Sequence, residues 1–469
     1  MLDVGQVTGA AMQGLMLIAA VVLLVWGAVV LVRGGPLGGC LLFLLAATCL
    51  SSNFYVLEAG PLRLTIDRLL WVAVMLQYLV WRRWGWDDPK PLRTPDLVLL
   101  ALVGYLAVRT FTADWQRDGS APVVHLILSY VMPLGVYWVV RQSGRTSRGV
   151  AAILAFFTLF GVYLAATVVA EYRQAYDLVW PRYIVDTLSD KKLEFIGRGR
   201  GPLLNPMVTG ILLATCWAAA LLGAVRRGSL RRAAVAPLCL LFAAAAYATM
   251  TRTVWMGAAL GVAIVAGAYM PARWRLPVLG SALVAAALAA GTHWEQIVAF
   301  KRDRDMTEKE TASSVYVRPV LAVLAWHMFL DHPVFGCGFD QYLPEHKNYL
   351  ADRSTSLVLE KARGDMPHNV LLAVLTETGL VGLGLLVALL GLWVRDAWRL
   401  WRDESAPPGA RQMGLLLLAT LAAYLVNGAF HHVAFIPMSN TLLFFMAGVT
   451  AAWRPADSPR HSSPSPAPA

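Results

Sequence analysis

Three arginines are candidates for a functional role, and two of them stand beside long apolar segments, where a positive charge is costly. Arg252 separates two apolar runs, Arg200 lies with Arg198 in the glycine-rich stretch 197–201, and Arg318 lies in a long polar stretch. An arginine at the centre of a membrane helix costs roughly 2.5–3.5 kcal/mol on insertion scales. Guanidinium groups bind phosphate through paired hydrogen bonds, and glycines let the backbone approach a ligand. Arg200, Arg252 and Arg318 together therefore predict a cationic site for a phosphorylated substrate such as a pyrophosphate.

A histidine at the start of an apolar run is a candidate general base. His368 follows a proline and precedes Asn369, an arrangement that would fix it at a membrane boundary. Histidine titrates near neutral pH and can accept a proton from a hydroxyl group. The neighbouring residues His431 and His432, between the last two apolar runs, compete for the same role. The sequence leaves the choice among the three open.

Each of these residues also has an ordinary interpretation. In this interpretation, Arg252 is an arginine that reaches lipid phosphates, and the stretch 197–201 is a flexible basic turn. Arg318 is then a solvated residue on a surface helix, and His368 is a polar residue that starts a helix. Only for Arg252 does the position alone favour a functional role.

The elements that must position these residues are membrane helices. Of the 469 residues, 58% are apolar and 15% are charged, whereas soluble domains have about 45–50% apolar and about 25% charged residues. The apolar residues form runs of about 20, the length at which a helix crosses a bilayer core of about 30 Å. The runs lie at 11–32, 37–57, 65–81, 95–112, 121–140, 149–170, 203–225, 233–250, 253–270, 275–291, 368–394, 412–430 and 433–453.

The arginine-rich loops indicate the orientation of these helices. Five loops that follow alternate runs hold 17 Lys and Arg residues against 5 Asp and Glu, and the positive-inside rule places such loops in the cytoplasm. The net charge of +11 is then an orientation signal and does not indicate a nucleic-acid-binding surface. The loops at 171–201 and 291–367 must face outward. All candidate site residues therefore lie on the outer face.

The sequence predicts an all-α polytopic membrane protein with about 12 transmembrane helices and one large, mostly helical periplasmic loop. Twelve or thirteen spans are possible, because Ser51, Ser52 and Asn53 interrupt the run at 37–57. The predicted parts are an N-terminal transmembrane bundle at 1–291, a periplasmic loop subdomain at 292–367, C-terminal transmembrane helices at 368–454 and a disordered cytoplasmic tail at 455–469.

No cofactor is expected from the sequence. It contains no metal-binding motif and no P-loop motif for nucleotide phosphates, and its five cysteines do not form a disulfide framework. Three arginines and a histidine instead indicate that protein cations handle the phosphorylated substrate without a divalent metal.

The same residues resemble motifs of the O-antigen ligase family (the WaaL type) within the O-antigen ligase/polymerase superfamily. The matching motifs are Arg-Gly-Pro-x-x-Asn-Pro at 200–206, Thr-Arg-Thr-x-Trp at 251–255, Arg318 followed by the segment 326–339, and His368-Asn369 followed by Glu-x-Gly-Leu-x-Gly at 377–382. Their order and spacing over residues 195–390 make the set specific.

The resemblance implies transfer of O-antigen polysaccharide from undecaprenyl pyrophosphate to a sugar hydroxyl of lipid A–core. The reaction would need neither metal nor ATP, would invert the sugar, and would take place at the periplasmic side of the bacterial inner membrane. Twelve transmembrane helices with both termini in the cytoplasm are implied as well. Carried over by position, the arginines would bind the pyrophosphate and the histidine would activate the acceptor. The implied residues are Arg200, Arg252, Arg318 and His368, with Arg198, Asn369 and Asp340 as secondary candidates.

Other activities remain compatible with these residues. An O-antigen polymerase or a protein O-oligosaccharyltransferase would use the same lipid donor and face the same leaving group, so the arginines do not separate them from a ligase. A transporter fits less well, because transporters place their polar groups near the bilayer midplane, whereas here they lie at the outer rim.

Overall fold

The computed structural model describes residues 27–29, 32–59, 62–86, 89–115, 121–143, 146–189, 195–225, 235–293 and 308–453. Most of the predicted span at 11–32 and the predicted tail at 455–469 lie outside these residues. The chain separates into two compact units, Met1–Pro89 and Lys90–Ala469. All candidate site residues belong to the second unit.

The described part of the first unit contains two long helices and a short antiparallel strand pair. Its elements are α1 (Val32–Cys49), β1 (Leu57–Ala59), β2 (Leu62–Leu64) and α2 (Ile66–Arg83), with Leu57 opposite Leu64 in the strand pair. The predicted run at 37–57 is therefore not a single helix. The helix ends before Ser51, Ser52 and Asn53, whose short polar side chains compete with the helix for backbone hydrogen bonds.

The described part of the second unit consists mainly of long helices. They are α3 (Thr94–Phe111), α4 (Pro122–Ser143), α5 (Ser147–Tyr172), α6 (Pro206–Val225), α7 (Val235–Ala248), α8 (Arg252–Tyr269), α9 (Ala272–Thr292), α10 (Glu308–Asp331), α11 (Val370–Arg402), α12 (Pro408–Gly428) and α13 (Pro437–Trp453). The most extensive packing joins α4 with α13, α8 with α12 and α6, α5 with α6, and α11 with α12. Helices from the beginning and the end of the second unit thus share one bundle.

The all-α membrane fold predicted from the sequence is confirmed. Among the described residues, nine helices are long and apolar enough to cross a membrane, namely α1, α3, α4, α5, α6, α8, α9, α11 and α12. Each apolar run from residue 65 onward coincides with one helix. The choice between twelve and thirteen spans stays a prediction.

The connection between α7 and α8 is short, but the two helices pack against different neighbours. It consists of residues 249–251, and Arg252 is the first residue of α8 instead of a turn residue. α7 lies against α5 and α6, whereas α8 lies mainly against α6 and α12. Arg252 is therefore held at the N-terminal end of a helix whose position is set by α12.

The large loop contains a helical subdomain with its own core. The helical pattern at 317–330 is confirmed as part of α10. From α10, Leu321, Leu324 and Met328 pack with Tyr342, and the cluster extends to Leu372 of α11. The subdomain thus rests on the N-terminal end of α11.

A loop of this subdomain lies against a break in α11. Gly379 has φ 64° and ψ −166°, a backbone conformation that is essentially restricted to glycine. Beside it, the Leu380 N–H donates to the Pro333 carbonyl oxygen at 2.9 Å. A Cβ atom added to Gly379 would lie 2.3 Å from the Val334 carbonyl oxygen. The break therefore lets the loop approach the helix backbone directly.

Replacing Gly379 by alanine should destabilise the protein, because the backbone conformation alone costs a non-glycine residue about 1–3 kcal/mol and the new methyl group meets backbone atoms. The measurement is the melting temperature in detergent. Gly384, an exposed residue of the same helix, is the control, since an added Cβ there meets nothing within 4 Å. Gly384→Ala should be neutral or stabilising by up to about 1 kcal/mol. Equal melting temperatures for the two variants would contradict the role of the break.

Candidate active site

Four segments that are distant in sequence meet at one place. The Arg318 guanidinium of α10 lies 5.7 Å from the centroid of the Phe430 ring, in the turn between α12 and α13. In the same turn, the His431 ring lies 6.1 Å from the His368 ring, measured between centroids. The positive charges of Arg252 and Arg318 act on each other. We call Arg252, Arg318, His368, His431 and His432 the arginine–histidine cluster.

Hydrogen bonds from neighbouring residues hold these segments together. The Asn369 side chain caps α11 by accepting from the N–H groups of Leu371 and Leu372 at 2.9 and 3.0 Å. Its amide nitrogen donates to the Ala429 carbonyl oxygen at 3.0 Å. Asn369 thus fixes His368 against the turn between α12 and α13. Such a cap contributes typically about 1 kcal/mol to helix stability.

The first turn of α8 is tied to the same place. The Thr253 hydroxyl donates to the Asn427 side-chain oxygen at 2.8 Å, near the end of α12. Asn427 in turn donates to the Ala423 carbonyl oxygen at 2.9 Å within α12. The positive end of the α8 dipole therefore lies in the cluster together with Arg252, and a helix N-terminus attracts anions.

The electrostatics of the cluster favour an anion. Burial lowers the pKa of Arg318, although an arginine remains charged at neutral pH. Within the described part of the chain, Arg318 forms no ion pair, and its guanidinium instead faces an aromatic ring. The nearby positive charge of Arg252 adds to the free-energy cost of burying the charge of Arg318. An anion that binds both guanidinium groups would relieve that cost.

The three histidines are not equivalent. Burial first, and then the positive charges of His368 and His125, lower the pKa of His432 to about 4. His432 is therefore neutral at neutral pH and holds a proton too weakly for an efficient general base, which works best with a pKa near the operating pH. This difference favours His368 or His431 for that role.

Arg200 and Arg198 have other surroundings. The Nε atom and the backbone N–H of Arg200 donate to the Glu171 carboxylate, both at 2.7 Å, and its Nη2 donates to the Ile184 carbonyl oxygen at 2.7 Å. The Arg200 side chain is fully buried. Arg198 is also buried, with its guanidinium 5.0 Å from the Phe195 ring centroid. This geometry does not support direct contact of Arg200 with a pyrophosphate.

The Arg200 segment is nevertheless attached close to the cluster. The Gly199 N–H donates to the carbonyl oxygen of Ala248, the last residue of α7, at 2.8 Å. Only three residues separate this position from Arg252. Sequence reasoning missed Glu171, the partner of Arg200. Its signal was an acidic residue directly after the apolar run 149–170, at the start of the loop at 171–201.

Asp340 lies in a separate polar group. Its carboxylate is 3.3 Å from Nδ1 of His125, and its backbone N–H donates to the Glu377 carboxylate at 2.6 Å. Glu377 is fully buried. Sequence reasoning missed His125, although an ionisable residue within an apolar run is a functional candidate by default.

Residues 237–387 match the family model described as O-antigen ligase. The resemblance to the O-antigen ligase superfamily is thereby confirmed. No curated protein matches the chain. The matched segment contains Arg252, Arg318, His368 and Asp340, whereas Arg200 and the histidines of the α12–α13 turn lie outside it.

The match over residues 237–387, together with the nine apolar helices among the described residues, supports a multi-pass membrane enzyme that acts on lipid-linked sugars. The arrangement suits such a substrate. Two guanidinium groups and a helix N-terminus can hold a phosphate anion, and neighbouring imidazoles can accept a proton.

Proposed function

We propose that the chain is an O-antigen ligase, which transfers O-antigen polysaccharide from undecaprenyl pyrophosphate to a sugar hydroxyl of lipid A–core at the periplasmic face of the inner membrane. The observation that carries this proposal is the mutual influence of the Arg252 and Arg318 charges, together with the contact between the His368 and His431 rings. These residues come from four separate segments. Such a convergence of cations next to a potential base matches what a pyrophosphate leaving group and a hydroxyl acceptor require.

The proposed reaction needs no metal and no ATP, because the sugar–pyrophosphate bond is already activated. His368 accepts the proton of the acceptor hydroxyl as that oxygen attacks the anomeric carbon. The bond from this carbon to the pyrophosphate oxygen breaks, and the configuration at the sugar is inverted. Arg252 and Arg318 stabilise the charge that accumulates on the departing pyrophosphate, and the α8 N-terminus adds to their field.

Arg200 receives a positioning role in this proposal. Its ion pair with Glu171 orders the loop that is hydrogen-bonded to the end of α7. The end of α7 is followed by α8 after only three residues, so an ordered loop at this point supports the placement of Arg252. Asn369 acts similarly on His368 through the cap of α11.

A deletion strain tests the function. Loss of a ligase should leave full-length chains on the carrier lipid and bare lipid A–core, and the wild-type gene should restore the lipopolysaccharide ladder. If single repeats attached to core appear instead, the protein is a polymerase and the proposal is wrong. If lipopolysaccharide is unchanged while protein glycosylation is lost, the protein is an O-oligosaccharyltransferase.

Arginine variants in the same strain test the site. Arg252→Ala and Arg318→Ala should each lower transfer by about 100- to 1,000-fold, as the loss of one preorganised donor to a developing anion does. Arg363→Ala is the matched control, because this arginine is exposed and pairs with the nearby Glu360. Its ladder should equal wild type. Normal ladders in both cluster variants, at normal protein levels, would exclude the proposed pyrophosphate site.

A further inference from the structure

His125 of α4 bridges two segments that are far apart in sequence. Its Nε2 atom lies 2.5 Å from the carbonyl oxygen of Phe435, in the one-turn 3₁₀ helix after His432. Its Nδ1 atom lies 3.3 Å from the Asp340 carboxylate. The ring also lies against Phe339 and Phe435, with centroid distances of 5.8 and 6.3 Å. Both nitrogens and the ring face are therefore in use.

The two oxygens determine where the protons lie. A carbonyl oxygen can only accept a hydrogen bond, so Nε2 of His125 must carry a proton. Nδ1 faces a carboxylate, so one further proton lies between His125 and Asp340. The bridge therefore consists of two hydrogen bonds. One joins His125 to the Phe435 carbonyl oxygen, and the other joins His125 to Asp340, with the shared proton on either residue. Glu377 holds the backbone of the same residue by accepting from the Asp340 N–H at 2.6 Å.

The turn after His432 is held from α4 at further points. The Ser129 hydroxyl donates to the Phe435 carbonyl oxygen at 3.3 Å. The Asn440 amide donates to the carbonyl oxygens of Ser129 and Ala434 at 2.9 and 2.7 Å. The turn that carries His431 and His432 is thus fixed by α4, and His125 is the one of these residues that also binds the subdomain loop.

We infer that His125 is a positioning residue for glycosyl transfer. It holds the α12–α13 turn, with His431, against His368, and it joins this turn to the Asp340 loop. The inference rests on the proposed function, because His125 is expected to affect transfer only by positioning residues of the arginine–histidine cluster. His125 does not touch the substrate in this role.

The test separates the two halves of the bridge. His125→Ala should lower kcat by about 100-fold, the loss expected when a reacting group moves by about 1 Å, while KM for the lipid-linked donor stays within a few-fold because the arginines are untouched. His125→Gln keeps a donor near the position of Nε2 and should recover much of kcat through Phe435. His125→Asn keeps a donor near Nδ1 and should recover less. Equal activity of Ala and Gln variants would overturn the inference.

His327 provides the matched control, because its Nδ1 atom also pairs with an aspartate, Asp352, at 2.9 Å. His327→Ala should leave kcat and KM at wild-type values. A fall equal to that of His125→Ala would mean that loss of any such pair damages the protein, and the inference would fail.

Hydrogen exchange separates this inference from the proposed function. Exchange in a peptide covering 429–436 should be faster in His125→Ala and unchanged in His327→Ala, whatever the reaction is. Unchanged exchange in His125→Ala would overturn the bridge even if transfer is lost. If wild-type protein transfers no sugar while exchange responds as expected, the proposed function fails and the structural bridge stands.

Discussion

His368→Ala should lower the rate of sugar transfer by about 100- to 10,000-fold, the contribution typical of a positioned general base. The acceptor hydroxyl is a poor nucleophile until its proton is removed, and His368 is the imidazole held beside the arginines by the Asn369 cap. Donor binding should change little, because Arg252 and Arg318 remain in place. The measurement is initial rates with purified protein in lipid nanodiscs, lipid-linked donor and lipid A–core.

The neighbouring histidines are the controls for this prediction. His432→Ala should have a smaller effect, since the low pKa of His432, about 4, makes it a weak base at neutral pH. His431→Ala should also have a smaller effect, because its ring packs against His368 and supports its orientation. If His431→Ala abolishes transfer and His368→Ala does not, the base is His431. Normal rates in all three variants would show that none of these histidines is the general base.

The membrane fold could be predicted because hydropathy is a local property. Each apolar run from residue 65 onward became one helix, and the pattern at 317–330 correctly predicted α10. The break at Gly379 was not predictable in this way. A glycine within an apolar run reveals neither its φ angle nor the loop that approaches it, since both depend on the position of residues 333–340.

The candidate site was predictable in part. Arg252, Arg318 and His368 stood out by position and by resemblance, and the structure brings them to one place with the competing His431 and His432. Their meeting depends on α8, α10 and α11 packing at the turn after α12, which no local pattern encodes.

The partners of buried charges were beyond sequence reasoning. Glu171 and Arg200 are 29 residues apart, and His125 and Asp340 lie much farther apart in sequence. Which acid meets which base is decided by helix packing. For this reason Arg200 looked like a phosphate ligand, whereas its geometry is that of a buried ion pair. The two interpretations make opposite predictions for a double variant.

Arg200→Ala should strongly destabilise the protein, because it leaves the Glu171 carboxylate buried without its partner, a loss of about 3–5 kcal/mol for broken buried pairs. Arg141→Ala is the matched control, since it breaks another buried pair, with Asp96 at 2.7 Å. Both variants should show lower melting temperatures and less folded protein. A stable, inactive Arg200→Ala protein would contradict the structural role.

The double variant Glu171→Gln with Arg200→Met should recover stability, because it removes both charges together and replacing a buried pair by uncharged groups is often nearly neutral. If Arg200 acts only by ordering its loop, the rate of transfer should recover when the protein folds, to within about tenfold of wild type. A tenfold difference in rate corresponds to about 1.4 kcal/mol in the activation barrier. If Arg200 binds the pyrophosphate, the double variant should fold and remain as inactive as Arg252→Ala. The ratio of transfer rate to folded protein, measured on the same sample, decides between these outcomes, because it separates the loss of a ligand contact from the loss of the fold.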